Sequence, residues 1–278
     1  MNHATILVIV PDICDPFFSE IIRGIEVTAA SHGYLVLIGD CAHQNQQEKT
    51  FINLIITKQI DGMLLLGSRL PFDASIEEQR NLPPMVMANE FAPELELPTV
   101  HIDNLTAAFK RRKIICMNRG TSVSDALPGR RRCRCATTVC KAMCRRCVAA
   151  ALPSTPHYIA RGDFTYEAGG HALQQLLALP QPPTAVFCHS DVMALGALSW
   201  AKRHGLKVPD DLSIIGFDNI ALADFATPPL TTCFTAALRY RARSNAALAR
   251  PVTGQNVSSG SRLLDCELII RGSTRALT

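Results

Sequence analysis

A chain of 278 residues that is 47% hydrophobic and 19% charged can bury a large core, and its length suits one large domain or two lobes. These values exclude a disordered chain. The formal net charge is +4, but residues 110–155 hold twelve Lys and Arg and one acid, so the remainder of the chain is net acidic.

The chain begins with an apolar run, Ala4–Val10, that stops at Pro11 and has no basic segment before it. The run is too short for a membrane span and lacks the features of a secretory signal, so we expect a buried strand in a cytoplasmic protein. The next stretch predicts a helix that ends at Gly33. Its apolar residues recur with helical spacing and form one face: Phe18, Ile21, Ile22, Ile25 and Ala29.

Strands and helices alternate along the rest of the chain. Apolar runs predict strands at 34–40, 63–68, 85–90, 99–104, 184–191 and 212–219. Helical patterns predict a helix after the second strand, with Phe51, Leu54, Ile55 and Ile60 on its apolar face, and helices at 165–179 and 192–204. This order predicts an α/β fold with two doubly wound parallel-sheet lobes, covered on both faces, whose ligands bind beyond the carboxyl ends of the strands.

Common enzyme motifs are missing from the sequence. The phosphate-binding, dinucleotide-binding, zinc-protease and serine-hydrolase patterns do not occur. We therefore predict a binding protein that is not an enzyme and that has no cofactor and no metal site.

Five segments occur in order along the chain: "DPFFSEIIRGIE", "DGMLLLGS", "HIDN", "HSDVMALGAL" and "DLSIIGFDN". Together they resemble the effector-binding core of the LacI/GalR family of transcriptional repressors. The resemblance implies a periplasmic-binding-protein-like (type I) pair of lobes that closes on a small ligand. It places residues 3–104 plus about 233–258 in the N-terminal lobe, and residues 105–232 plus about 259–278 in the C-terminal lobe.

The resemblance also implies partners. It predicts a repressor whose small-molecule effector is a nucleoside such as cytidine, which forms a homodimer through its lobes, and which acts on operator DNA with the cyclic AMP receptor protein. Family members begin with a helix-turn-helix headpiece, whereas this sequence starts at the first core strand, so we expect no operator binding by this chain alone. A sugar or nucleoside solute-binding protein is the alternative, and the lack of an export signal argues against it.

Six residues are candidate ligand contacts because they lie at strand ends or match effector positions of the family: Phe17, Phe18, Asp103, Phe164, Ser190 and Asp218. An ionised aspartate only accepts hydrogen bonds, so Asp218 suits ribose or sugar hydroxyls; the alternative is an aspartate that caps the next turn. Phe17 and Phe164 either stack on the effector or pack in the core.

Two further residues and one family residue that has no match need separate treatment. Phe18 lies on the apolar helical stripe, which favours a place in the core. Asp191 is interpreted as the N-cap of the helix that follows it. The family's effector-gripping arginine would fall within residues 110–155, where nothing matches it, so we expect weakened effector binding.

Residues 110–155 contain six of the 11 cysteines, and three interpretations are open. A zinc site needs two ligand pairs, but only Cys144 and Cys147 form a C-x-x-C and no histidine lies nearby. An arginine-rich nucleic-acid patch is the second possibility. The third, which we favour, is a frame slip, because the family pattern stops after Phe109 and resumes after Pro156.

A second segment, residues 233–253, behaves in the same way. For both segments, codons can be chosen that spell family-like sequence when they are read one base out of register. Arginines placed in a central strand could not be buried without partners. The frame-slip hypothesis therefore predicts a poorly folded C-terminal lobe.

Overall fold

The computed structural model describes residues 4–41, 48–67, 82–89, 97–102, 120–124, 159–235, 261–264 and 266–275. Contacts divide the chain into two compact units: Met1–Ile102 with Ala236–Leu264, and Asp103–Thr235 with Asp265–Thr278. Candidate residue Asp103 lies outside the described residues, as do the segments 110–155 and 233–253 apart from 120–124 and 233–235.

The first unit contains, in chain order, β1 (Ala4–Val10), α1 (Pro16–Ser31), β2 (Tyr34–Asp40), α2 (Glu48–Ile56), β3 (Gly62–Leu65), β4 (Met85–Asn89), β5 (Thr99–Ile102) and β11 (Ser261–Leu264). Its strands form a six-stranded sheet with the order β11-β5-β4-β3-β1-β2, and each paired strand in it is parallel to its neighbour. Its core centres on Leu7, Ile9, Phe51, Met63 and Leu65.

The second unit contains β6 (Gly120–Ser124), β7 (Ile159–Arg161), α3 (Tyr166–Leu177), β8 (Ala185–Cys188), α4 (Asp191–Arg203), β9 (Ser213–Phe217), α5 (Leu222–Phe225), β10 (Thr231–Thr235) and β12 (Cys266–Ile269). Its strands form a six-stranded sheet with the order β12-β10-β9-β8-β6-β7. These strands are parallel except for β12, which pairs antiparallel with β10.

Helices α3 and α4 pack against each other at two glycines. A side chain on Gly169 would collide with the main-chain carbonyl of Met193, and one on Gly196 with that of Tyr166. Because glycine lacks a β-carbon, the two backbones approach closely enough to bury the aliphatic residues between them. This contact holds the start of α4 close to the start of α3.

The predicted α/β class with two parallel-sheet lobes is confirmed. The structure differs from the sequence-based prediction in the bounds, burial or unit of some elements. The second predicted helix stops at Ile56, and Ile60 is buried in the loop beyond it. Strand β2 is an edge strand, so Leu35 is 56% exposed although its run is continuously apolar. Strand β11 pairs with β5 and therefore belongs to the first unit, whereas the sequence placed residues from about 259 in the second lobe.

Candidate functional site

The turn after β9 carries the predicted ligand contact Asp218. Asp218 and Asn219 have φ angles of 107° and 55°, in the left-handed region that residues other than glycine seldom adopt. The Asp218 amide donates to the carbonyl of Cys233 in β10, at 2.9 Å. Both residues are half-buried, so the turn is reachable from solvent.

A buried carboxylate lies directly behind this turn. Asp191 Oδ2 accepts the backbone N–H of Ile220 at 2.9 Å, and Asp191 Oδ1 accepts the hydroxyl of Thr232 at 2.6 Å. The same Thr232 oxygen accepts the N–H of Asn219 at 3.3 Å. The start of α4 is thereby joined to the turn and to β10.

Ser190, not Asp191, is the N-cap of α4, which corrects the sequence interpretation. The Ser190 hydroxyl oxygen accepts the N–H of Met193 at 3.2 Å, while the Asp191 carboxylate reaches across to other elements. Ser190 is 1% exposed and follows β8, the neighbour of β9 in the sheet. The structure therefore brings the predicted residues Ser190 and Asp218 to adjacent strand ends.

Burial dominates the electrostatics of Asp191. Desolvation raises its pKa to about 7 against the opposing effects of the hydrogen bonds from Thr232 and Ile220 and of the charge on Arg271; the neighbouring thiol of Cys233 adds to the rise. Burial, together with the nearby Asp191 charge, also raises the pKa of the Cys188 thiol, which stays protonated.

Arg271 supports the turn from the C-terminal segment. Its Nη2 donates to the Asn219 side-chain oxygen at 2.8 Å, and its Nη1 donates to the carbonyl of Leu230 at 2.9 Å. Its Nε pairs with Asp224 at 3.1 Å. The sequence analysis missed Arg271 and Thr232, because neither residue lies in a recognised motif and both act through contacts distant in sequence.

The predicted aromatic contacts lie in different units. In the first unit, Phe17 and Phe18 are both 8% exposed and meet edge to face, with ring centroids 5.2 Å apart. In the second unit, Phe164 has φ 66° and packs, half-buried, against the aliphatic core. Phe164 is thus the more accessible ring.

The remaining alternatives concern metals and other cavities. Within the described ranges, no group of three His, Cys, Asp or Glu side chains could hold a metal ion; the cysteine-rich segment lies outside those ranges. A groove of about 440 Å³ runs between α3 and α4, and none of the predicted contacts lines it. No helix in the described part of the chain has the length and apolarity needed to cross a membrane.

Comparison with known proteins agrees with this architecture. Residues 110–274 match the family described as a periplasmic binding protein-like domain. The chain is also similar to a solved structure, a transcriptional regulator LacI from Bacillus cereus subsp. cytotoxis NVH 391-98. The TM-score is 0.89 at 25% identity, and the match covers 100% of both chains. The fold is thus a two-sheet binding core.

Relatives in sequence define the family. The chain is 70% identical to the HTH-type transcriptional repressor CytR of Escherichia coli (strain K12) over 276 residues, 98% of this chain and 80% of that protein. It is 30% identical to catabolite control protein A of Priestia megaterium over 280 residues, 98% of this chain and 82% of that one. The chain belongs to the LacI/GalR family of transcriptional regulators.

Proposed function

We propose that this chain is the effector-sensing core of a transcriptional repressor and that its effector is a nucleoside such as cytidine. The observation that carries the proposal is the 70% identity, over 98% of the chain, to a protein named as a transcriptional repressor. The relatives described above are named as regulators, which favours regulation over catalysis or solute transport.

Asp218 is the residue that we propose as the main polar contact to the effector. Its carboxylate accepts hydrogen bonds only, as paired ribose hydroxyls require, and it lies half-buried on a turn at the carboxyl end of β9, where ligands of such sheets bind. Phe164 is half-buried and suits stacking on the base. Ser190, in the same unit, is more deeply buried, so we place it behind Asp218; Phe17, Phe18 and Asp103 stay predictions.

Effector binding would act by shifting a population. A ligand that binds one conformation more tightly than another changes the balance between operator-bound and released repressor. Operator contact would come from a helix-turn-helix headpiece, as in the family. Homodimerisation and cooperation with the cyclic AMP receptor protein, which rest on the family resemblance, complete the proposal together with a cytoplasmic location.

The frame-slip hypothesis gains support from strand β6. In the second sheet β6 lies between β8 and β7, and in the first sheet β1 lies in the same position between β3 and β2. Strand β1 has the apolar sequence "ATILVIV", whereas β6 reads "GTSVS". A central parallel strand is normally apolar, so we propose that residues 110–155 are read out of frame; the same proposal for residues 233–253 rests on the sequence pattern alone. Resequencing the gene around codons 109–156 and 232–254 tests this: unslipped codons would contradict it.

Calorimetric titration of the purified chain with cytidine tests the effector proposal. We expect measurable but weak binding, and at least about a tenfold loss in Asp218→Asn, because hydrogen bonds to a charged group contribute about 1.5–3 kcal/mol. Asp210→Asn is the matched control, since Asp210 is an exposed aspartate before the opposite end of β9, and it should bind as the parent does.

Two outcomes would contradict this proposal. If the parent chain gives no heat with cytidine while it is folded by circular dichroism, the nucleoside is not its effector. If Asp218→Asn binds cytidine as tightly as the parent, Asp218 is not a contact.

A further inference from the structure

The turn at the end of β9 is held by three consecutive backbone amides. The Asp218 N–H donates to the carbonyl of Cys233, the Asn219 N–H to the hydroxyl oxygen of Thr232, and the Ile220 N–H to the carboxylate of Asp191. Each amide therefore has a partner outside the turn. Asp191 and Thr232 supply two of the three partners and are hydrogen-bonded to each other.

This restraint matters because the turn is strained. Both Asp218 and Asn219 have positive φ, and such a backbone persists only where the surrounding structure determines it. Glycine would adopt it freely, but glycine carries no carboxylate. A ligand-binding aspartate at this position thus needs external support for its backbone.

The Asp191 carboxylate is buried beside Gly216, which has no side chain. Asp191 and Thr232 are both 0% exposed, so water cannot replace their hydrogen bonds. Gly216 in β9 faces Asp191 Oδ1, and a β-carbon on Gly216 would occupy the position of that oxygen. The absence of a side chain at Gly216 therefore leaves room for the carboxylate between β9, β10 and the start of α4.

We propose that Asp191 and Thr232 are positioning residues for effector recognition, which hold the Asp218–Asn219 turn so that the Asp218 carboxylate meets the ligand in a fixed orientation. This inference rests on the proposed function, because it takes Asp218 as the contact. Preorganised contacts bind more tightly because no ordering is required on binding. A residue with a purely structural role would change stability and leave the affinity of the folded chain unaltered.

The test compares Thr232→Val with Thr232→Ser in the full chain. Valine keeps the shape but removes the hydroxyl that accepts from Asn219 and donates to Asp191, whereas serine keeps the hydroxyl. We expect Thr232→Val to weaken cytidine binding by about tenfold, and Thr232→Ser to bind within about twofold of the parent, measured by calorimetry. In ¹⁵N-labelled protein, the amide resonances of Asn219 and Ile220 should shift in the valine variant and stay close to the parent's in the serine variant.

A second variant covers the case in which Thr232→Val does not fold. Asp191→Asn has the same shape but only one acceptor oxygen for two donors, so it should also weaken cytidine binding by about tenfold and shift the Ile220 amide resonance. A folded variant of either kind that binds cytidine as tightly as the parent overturns the positioning role.

The readouts also separate this inference from the proposed function. If the parent chain itself does not bind cytidine, the effector proposal fails and the amide resonances decide the positioning claim. Unmoved Asn219 and Ile220 resonances in both Thr232→Val and Asp191→Asn would then show that these side chains do not hold the turn. Shifted resonances would support the restraint.

Discussion

The two sheets have the same strand order, but the two units differ in the polarity of their buried side chains. Among the described residues the first unit buries one polar side chain, Thr99, while the second buries seven: His189, Ser190, Asp191, Ser213, Thr231, Thr232 and Ser273. The described core of the first unit is packed mainly by aliphatic contacts. The second adds buried hydrogen bonds, some of which join Asp191 and Thr232 to the turn at the carboxyl end of β9.

The network of the second unit extends to the C-terminal segment. The Ser273 hydroxyl donates to the carbonyl of Ile214 at 2.6 Å and accepts the N–H of Thr231 at 2.8 Å. Buried polar groups cost free energy when they lack partners, and the hydrogen bonds of Ser273, Asp191 and Thr232 provide such partners. Comparable strand-end contacts in the first unit, such as Asp40 with the Ile13 N–H, are exposed. The second unit is therefore the one built to hold a precise turn.

The largest expected difference between the units comes from their glycines. Gly196→Ala should destabilise the second unit by at least about 3 kcal/mol, because its β-carbon meets the main-chain carbonyl of Tyr166 and the helices must separate. Gly39→Ala in the first unit should cost less, about 1–2 kcal/mol, because its β-carbon meets the buried ring of Phe51, a side chain that can shift within the core, and no main-chain atom.

Urea unfolding measures both effects. Gly170→Ala is the control for α3 and α4: its β-carbon would contact Trp200 at ordinary distance, and alanine favours a helix. We expect it to be neutral or stabilising. Equal losses in the Gly196 and Gly39 variants would remove the distinction between backbone and side-chain contacts.

The next largest effect is the pH dependence contributed by Asp191. Burial raises its pKa from 3.8 to about 7, so between these values the folded chain binds more protons than the unfolded chain. The contribution to stability is fully present below pH 3.8 and is lost as the pH rises through 7; the part that falls between pH 5 and pH 8 is on the order of 2–3 kcal/mol.

The measurement is the free energy of unfolding at pH 5 and pH 8 in the parent chain and in Asp191→Asn. The variant should lose most of this slope, and the residual slope reports the other groups, including Asp15, whose pKa burial also raises. An unchanged slope in Asp191→Asn would show that Asp191 titrates as it does in the unfolded chain.

Helix caps give the smallest effect and compare the units directly. Ser190→Ala removes a buried acceptor for the Met193 N–H and should cost up to about 2 kcal/mol. Asp15→Ala removes the cap of α1, whose bond to the Phe17 N–H is only part-buried, and should cost about 1 kcal/mol. Equal losses on thermal unfolding would show that the contribution of a cap depends on residue type and not on burial, because Asp and Ser are similar N-caps.

Prediction from sequence succeeded where local pattern decides structure. The bounds of β1 and β2 agree with their apolar runs, and α4 lies one residue from its predicted range. For the candidate site the structure bears only on position: Asp218 and Ser190 lie at adjacent strand ends, their ligand contacts stay predictions, and Asp191 was given the cap that Ser190 provides. The sequence pattern of a helix cap fits both Ser190 and Asp191, because both residue types are suitable N-caps. Only the direction of the two side chains in the folded chain distinguishes them.

The sequence by itself determined the alternation of strands and helices and the family, because hydrophobic periodicity and ordered motifs act over short stretches of chain. Only the tertiary structure decided that β2 is a half-exposed edge and that Asp191 supports the Asp218–Asn219 turn. Asp191 meets Ile220 and Thr232 across 29 and 41 positions of sequence. Such contacts depend on which strands become neighbours, and that is settled by packing the whole sheet.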